Sequence, residues 1–283
     1  MLSGEDSRRD AVKAIMNSGQ RELVAELERL DGGARFGRGR TRLLEGGDVF
    51  ERAGVCVTAA ADGGYFTSGL SVVIHPRNPH VPAFQAHFRY CESGDTWWFG
   101  GAVELVPCYG FAEDATHFHR VLRHHCDTLD PAFHAQAKRT ADDRFRLPHR
   151  DEPHGLGGIA FDHLSPAGPH GWRRGAAFTA AGIATIAPAY LPIVRRRRDL
   201  PHGERERQWQ LHRRGRFAES ALFHAASATR AEAEAVLAAL PPLVRWDAGF
   251  APEPGSPEAA LAAFLAPRDW AGETTASDTR IAG

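Results

Sequence analysis

The chain has 283 residues, 43% of them hydrophobic and 24% charged, and a formal net charge of −1. Such a composition supplies a sizeable core and marks an ordinary globular protein. The near-neutral balance removes any electrostatic case for nucleic acid or an anionic membrane as partner. Four cysteines, Cys56, Cys91, Cys108 and Cys126, show no C-x-x-C spacing, so neither a zinc knuckle nor a redox pair is indicated. The polar start MLSGEDSRRD has no apolar signal core, and no apolar run reads as a membrane span. The expectation is a reduced, cytoplasmic protein with no membrane span.

Residues 6–31 place Val12, Ile15, Met16, Leu23, Val24 and Leu27 near helical spacing and stop at Gly32-Gly33. This predicts a docked amphipathic helix, broken around residues 17–19. The following GGARFGRGRTRLLEGG reads as a glycine–arginine loop, either a mobile surface loop or an anion cradle. It lacks G-x-x-x-x-G-K-[ST], which disfavours nucleotide binding. Strands are expected over 54–60 and 65–75, the second with Ser71, Val73 and His75 on one face.

The next forty residues carry the strongest pattern. Two aromatic-rich runs flank Ser93-Gly94-Asp95, which predicts an antiparallel hairpin. Pairing Ser93 with Thr96 sets Gln85 opposite Glu104 and His87 opposite Ala102. Gln85, His87, Arg89, Trp98 and Glu104 then share one face, with Phe84, Phe88 and Tyr90 on the other. Such a polar face either meets water or lines a pocket. The adjacent tryptophans and the proline-bracketed HPRNP segment favour a pocket wall.

Downstream, EDATHFHRVLRHHCDTL predicts a helix capped by Asp114. Residues 130–150 suggest a polar helix ending at LPHR, and GLGGIAFDHL a glycine turn into a strand bearing Asp162. A helix is expected over 175–198, its four closing arginines a solvated end near the negative dipole pole. GERERQWQLHRRGRFA adds arginines around Trp209, and SATRAEAEAVLAALPP reads as an alanine-rich helix stopped by prolines. After a proline-rich connector comes one short helix, and residues 271–283 read as a disordered tail. With no repeat or clear linker, residues 1–283 are taken as one domain, 1–34 forming its N-terminal helical segment. Fifteen histidines invite a metal reading, but no H-E-x-x-H is present.

Taken together, RTRLLEGGDVFERAGV, SGLSVVIHPRNPHVP, WWFGGAVELVPCYGF, LPHRDEPHGLGGIAFDHL, AYLPIVRRR, ERERQWQLHRRGR and PEPGSPEAALAAFLAPRDW resemble the oxygen-dependent coproporphyrinogen III oxidase family, in the family's order over about residues 35–270. The resemblance implies an α/β (α+β) fold, a large antiparallel sheet flanked by helices on both sides. It also implies a homodimer with no tightly bound organic cofactor, using O2 to turn porphyrinogen propionates into vinyls in porphyrin and haem biosynthesis. The family positions retained are His75, Arg77, Asn78, Arg89, His149, Asp162, Arg213, Arg214, Arg216 and Glu219.

The departures fall on the same surface. Where the family strand reads P-T-x-H-x-N-x-R-Y, this chain has Gln85 for the His and His87 for the Asn. Glu104 stands for the family's pyrrole-facing Asp, and the segment after Arg216 is shorter and lacks the family's glycines and arginine, with Arg230 an offset substitute. The expected catalytic groups are therefore Glu104, His87, Gln85 and Asp162. Arg89, Ser71, His75, Arg77, Asn78, His149, Arg213, Arg214, Arg216 and Arg230 are expected to bind a small-molecule carboxylate substrate. The changes leave two alternatives open: an oxidase or decarboxylase of a smaller carboxylate, with Fe or Cu held by His87, Glu104 and His75, and a non-catalytic porphyrin or metabolite binder.

Overall fold

Five consecutive strands build the frame. In the computed structural model, which describes residues 4–225, 237–247 and 249–272, β1 (Thr41–Glu45), β2 (Phe50–Asp62), β3 (Tyr65–Pro76), β4 (Ala83–Ser93) and β5 (Thr96–Val106) form an antiparallel meander. β8 (Gly158–Leu164) joins the β5 edge after an excursion through helices and the two-residue strands β6 (Arg146–Leu147) and β7 (Glu152–Pro153). β2 and β3 are joined through Gly63-Gly64, both with positive φ (53° and 84°), the twist that a two-residue hairpin turn needs.

One sheet face is apolar. Val55, Leu70, Val72, Phe84, Phe88, Tyr90, Phe99 and Val103 are buried there under α1 (Gly4–Asp31) and α4 (Gly171–Arg197). α1 is continuous, not broken at residues 17–19. Its Gly19 lets it approach α4, since a Cβ there would collide with Ile183 and lie 3.6 Å from Leu70. α2 (Ala112–Asp127) packs on α4, and α3 (Phe133–Arg144) wraps the β8 edge. Over the opposite, polar face runs α5 (Glu204–Ala225), where Phe217 meets His75 edge-on at 4.7 Å. Helices thus cover both sides of the sheet.

Several expectations change. The glycine–arginine stretch contains β1, whose Thr41–Glu45 pairs with Arg52–Cys56, so part of it is sheet edge. Asp114 is not the cap of α2, which begins after Phe111. It is buried and paired instead with Arg196 and Arg197 at 2.6 and 2.7 Å. The arginine run closing α4 is accordingly not simply solvated: Arg197 is buried and also lies 3.8 Å over the Phe111 ring. α4 is long and apolar enough to cross a membrane by length and composition, against the expectation of no such run, but over half of that stretch is buried within the fold. All four cysteines are free and buried. The alanine-rich helix expected from residue 227 falls largely outside the described residues, as do Arg230 and nearly all of the expected tail.

Burial leaves a pH signature. Desolvation pushes the imidazoles of His75 and His119 down to about 3, and those of His125 and His212 to about 4, from the ordinary 6.5. Between those values the unfolded chain binds protons that the fold refuses, so stability is fully present above pH 6.5 and falls as the pH drops toward 4. Each histidine contributes a slope of up to about 1.4 kcal/mol per pH unit. Urea midpoints measured from pH 7.5 to 4.5 are expected to fall steadily, most steeply below pH 6.

Candidate active site

The hairpin pairs as the turn requires: Ser93 with Thr96, Gln85 with Glu104 and His87 with Ala102. β3 is in register alongside, with Ser71 opposite His87 and Val73 opposite Gln85. These pairings collect the polar side chains on the face that α5 only partly covers. A pocket of about 210 Å³ opens there, lined by Ser71, Val73, Gln85, His87, Ala102, Arg144, Phe145, Ser220, Ala221 and Ala239. The Ser71 hydroxyl lies 2.8 Å from His87 Nδ1 and orients the ring.

Glu104 is not on the pocket wall. It is fully buried behind Gln85, whose amide Nε2 donates to Glu104 Oε2 at 2.5 Å. His154 Nδ1 donates to the same oxygen at 2.8 Å, and that imidazole is also fully buried. Because a carboxylate only accepts, the proton on His154 sits on Nδ1. Glu104 Oε1 and His154 Nε2 have no hydrogen-bond partner among the described residues. Gly155 makes the approach feasible, since a Cβ there would come 2.8 Å from Glu104 Oε1. An amide, a carboxylate and an imidazole thus follow one another inward from the wall, the last two fully buried and with unused polar capacity.

The retained arginines do not point their charge at this pocket. Arg89 pairs with Asp162, both about two-fifths exposed at the β8 edge, and Gly100 leaves room for that carboxylate. Arg214 and Arg207 both hold Glu51 at 2.8 Å. They outweigh the burial that would raise the Glu51 carboxyl, and bring it down to about 2. Arg213 donates to the His154 carbonyl at 2.6 Å and Arg216 to Glu152 at 2.9 Å. Glu219 accepts from Arg150 at 2.6 and 2.7 Å and contacts His149 at 2.9 Å. These partners overcome desolvation and hold it at about 2. The helical spacing of α5 therefore serves an internal ion-pair lattice with β2, β7 and the turn at residues 148–150.

The remaining expected residues are dispersed for equally local reasons. His75 is buried, bonded through Nε2 to the Ala239 carbonyl at 2.8 Å, and kept neutral by desolvation. Arg77 donates twice to the Gly47 carbonyl. The amide of Asn78 is spent on the carbonyls of Arg198 and Leu200, tying the end of α4 to the β3–β4 loop. The Fe or Cu set of His87, Glu104 and His75 does not converge: each has a committed partner, and no group of three or more potential metal ligands occurs among the described residues. The sequence reading also missed His154, Arg144, Phe145 and Ser220. The glycines that follow His154 were the one available signal for it, and Arg144 lies in no motif.

The fold agrees with what the chain resembles. The family model described as coproporphyrinogen III oxidase matches residues 11–270. An oxygen-dependent coproporphyrinogen-III oxidase of Parasynechococcus marenigrum (strain WH8102) is 36% identical over 98% of this chain and 91% of its own length. The enzymes of that name from Synechococcus sp. (strain CC9605) and Prochlorococcus marinus (strain MIT 9313) are 36% and 35% identical over 97% and 95% of the chain, and 90% and 92% of their own. The first alignment spans 331 positions against a chain of 283, so that relative carries several dozen internal residues missing here.

His154→Leu should leave the Glu104 carboxylate buried with one donor fewer, a loss of about 3–5 kcal/mol. Chemical denaturation is expected to show it as a lowered midpoint at unchanged slope. By the family match over most of its length, the chain belongs to the coproporphyrinogen III oxidase family.

Proposed function

We propose that this protein is an oxygen-dependent oxidative decarboxylase that converts porphyrinogen propionates to vinyl groups, with coproporphyrinogen III as substrate and O2 as co-substrate. The observation that carries the reading is the pairing of near-full-length family similarity with a pocket backed by Gln85 and the buried Glu104. For each side chain, R–CH2–CH2–COO⁻ plus O2 and a proton gives R–CH=CH2, CO2 and H2O2. Two electrons leave the substrate and reduce oxygen, so no further oxidant is required. The reading includes a homodimer.

The residues divide the work as follows. With its amide nitrogen engaged by Glu104, Gln85 offers its amide oxygen to a pyrrole N–H. The carboxylate behind it makes that oxygen a stronger acceptor, as linked hydrogen bonds polarise one another. Electron density on the pyrrole rises, which is the condition for reaction with oxygen. His87, held by Ser71, stands at the same wall to hold or deliver the proton that the balance calls for. Phe145, Val73 and the alanines exclude water from the ring.

One observation favours a second reading. The pocket, at about 210 Å³, is below the roughly 300–1,000 Å³ of common ligand sites. It suits one pyrrole with its side chain, or a smaller carboxylate altogether. Aerobic incubation with coproporphyrinogen III separates the two: a vinyl product formed with one H2O2 per CO2 supports the first, and no turnover of clean substrate overturns it. Glu104→Gln, which keeps the shape and removes the charge, is expected to lower kcat at least about 100-fold, read from the rate of vinyl porphyrin formation.

A further inference from the structure

The arginines carried over from the family pattern already have partners: Arg89 holds Asp162, Arg214 Glu51, and Arg216 Glu152 and Glu219, while Arg213 donates to the His154 carbonyl and Arg77 to the Gly47 carbonyl. For any of them to grip a substrate carboxylate it would first have to release that partner. Arg144 is different. It closes α3, lines the pocket beside Gln85 and His87, and has no hydrogen bond or ion pair among the described residues.

We propose that Arg144 is the specificity residue that receives a substrate carboxylate at this pocket, an inference that rests on the proposed activity for the identity of the ligand. Its surroundings are arranged for an incoming anion. Arg89, itself paired with Asp162, lies near enough for its positive charge to act on Arg144. Desolvation and Arg89 together make the Arg144 guanidinium a weaker base than usual, while Asp162 and Glu104 act the other way. An arriving carboxylate relieves that strain on the cation, where on Arg213 or Arg216 it would compete with Glu152. Ala102 and Phe145 beside it provide the apolar floor for the carbon chain. The planar fork of an arginine pairs with a carboxylate through two parallel hydrogen bonds, which selects ligands by the placement of that group.

The test compares wild type, Arg144→Gln and Arg144→Lys in fluorescence titrations with a tetrapropionate porphyrin, coproporphyrin III, and a dipropionate one, mesoporphyrin IX. Thermal unfolding serves as the check that each variant is folded. Arg144→Gln is expected to weaken coproporphyrin III binding about tenfold or more, to erase most of the preference over mesoporphyrin IX, and to raise KM more than it lowers kcat. Arg144→Lys should recover part of the affinity because the charge remains without the fork. Equal affinities of wild type and Arg144→Gln within twofold overturn the role of Arg144, whatever the turnover. Tight, Arg144-dependent binding without turnover overturns the proposed reaction and keeps the carboxylate site, and absence of binding to wild type overturns both.

Discussion

A carboxylate buried out of reach of bulk solvent dictates much of this architecture. Glu104 sits at zero exposure in the middle of β5, where an unsatisfied charge would cost several kcal/mol. It is tolerable because two donors from different elements reach one oxygen: Gln85 across the hairpin and His154 from the turn that leads into β8. A one-residue slip of β4 against β5 would bring Phe84 or Ala86 to the carboxylate and expose the aromatic row of the core. The same charge therefore fixes the hairpin register, closes the sheet onto β8 and positions the amide of the pocket wall. Stability and chemistry draw on one contact.

The second organising feature is charge held inside the molecule. α5 carries five arginines, and the acids that answer them come from β2, β7, α5 itself and the helix Pro257–Phe264. Arg214 and Arg213 are almost completely buried, so their pairing is compulsory and cannot be lent to a ligand without replacement. The helix is thereby clamped over the polar face at one end and leaves the pocket at the other. Under the proposed activity, substrate recognition falls to groups whose charge the fold has not already used.

The parts of the fold set by alternation and turn chemistry were legible from residues alone. The β4–β5 register followed from Gly94 and the apolar period, and β3, β8 and the helix Pro257–Phe264 lay where glycine and proline punctuation placed them. β1 was hidden because its glycines and arginines read as a loop, whereas pairing with β2 decides its conformation. At the site, sharing a face was legible and depth was not. Period-2 alternation puts Gln85, His87 and Glu104 on one side, yet only packing of Phe217 and His154 makes Glu104 an interior group. The partners of Arg213, Arg214 and Arg216 are far away in sequence, so motif spacing held no information about whether their charge was available.

The departures from the family pattern look less like losses once the geometry is in view. At position 85 the family strand has an imidazole and this chain an amide, which removes a titratable group from the pocket wall. An imidazole nevertheless contacts the neighbouring carboxylate, brought by His154 from the opposite side. The amide at 85 stays neutral at every pH and offers an acceptor outward, while the inner imidazole donates to the carboxylate. Since His154 is shielded from solvent and Gln85 is not, the acceptor at the wall and the second donor beneath it belong to separate side chains. A single histidine at 85 would have to serve both, and its protonation would alter the wall and the carboxylate together. With an amide at 85 and an imidazole at 154, the buried carboxylate keeps two donors across substitutions that would read, position by position, as disabling.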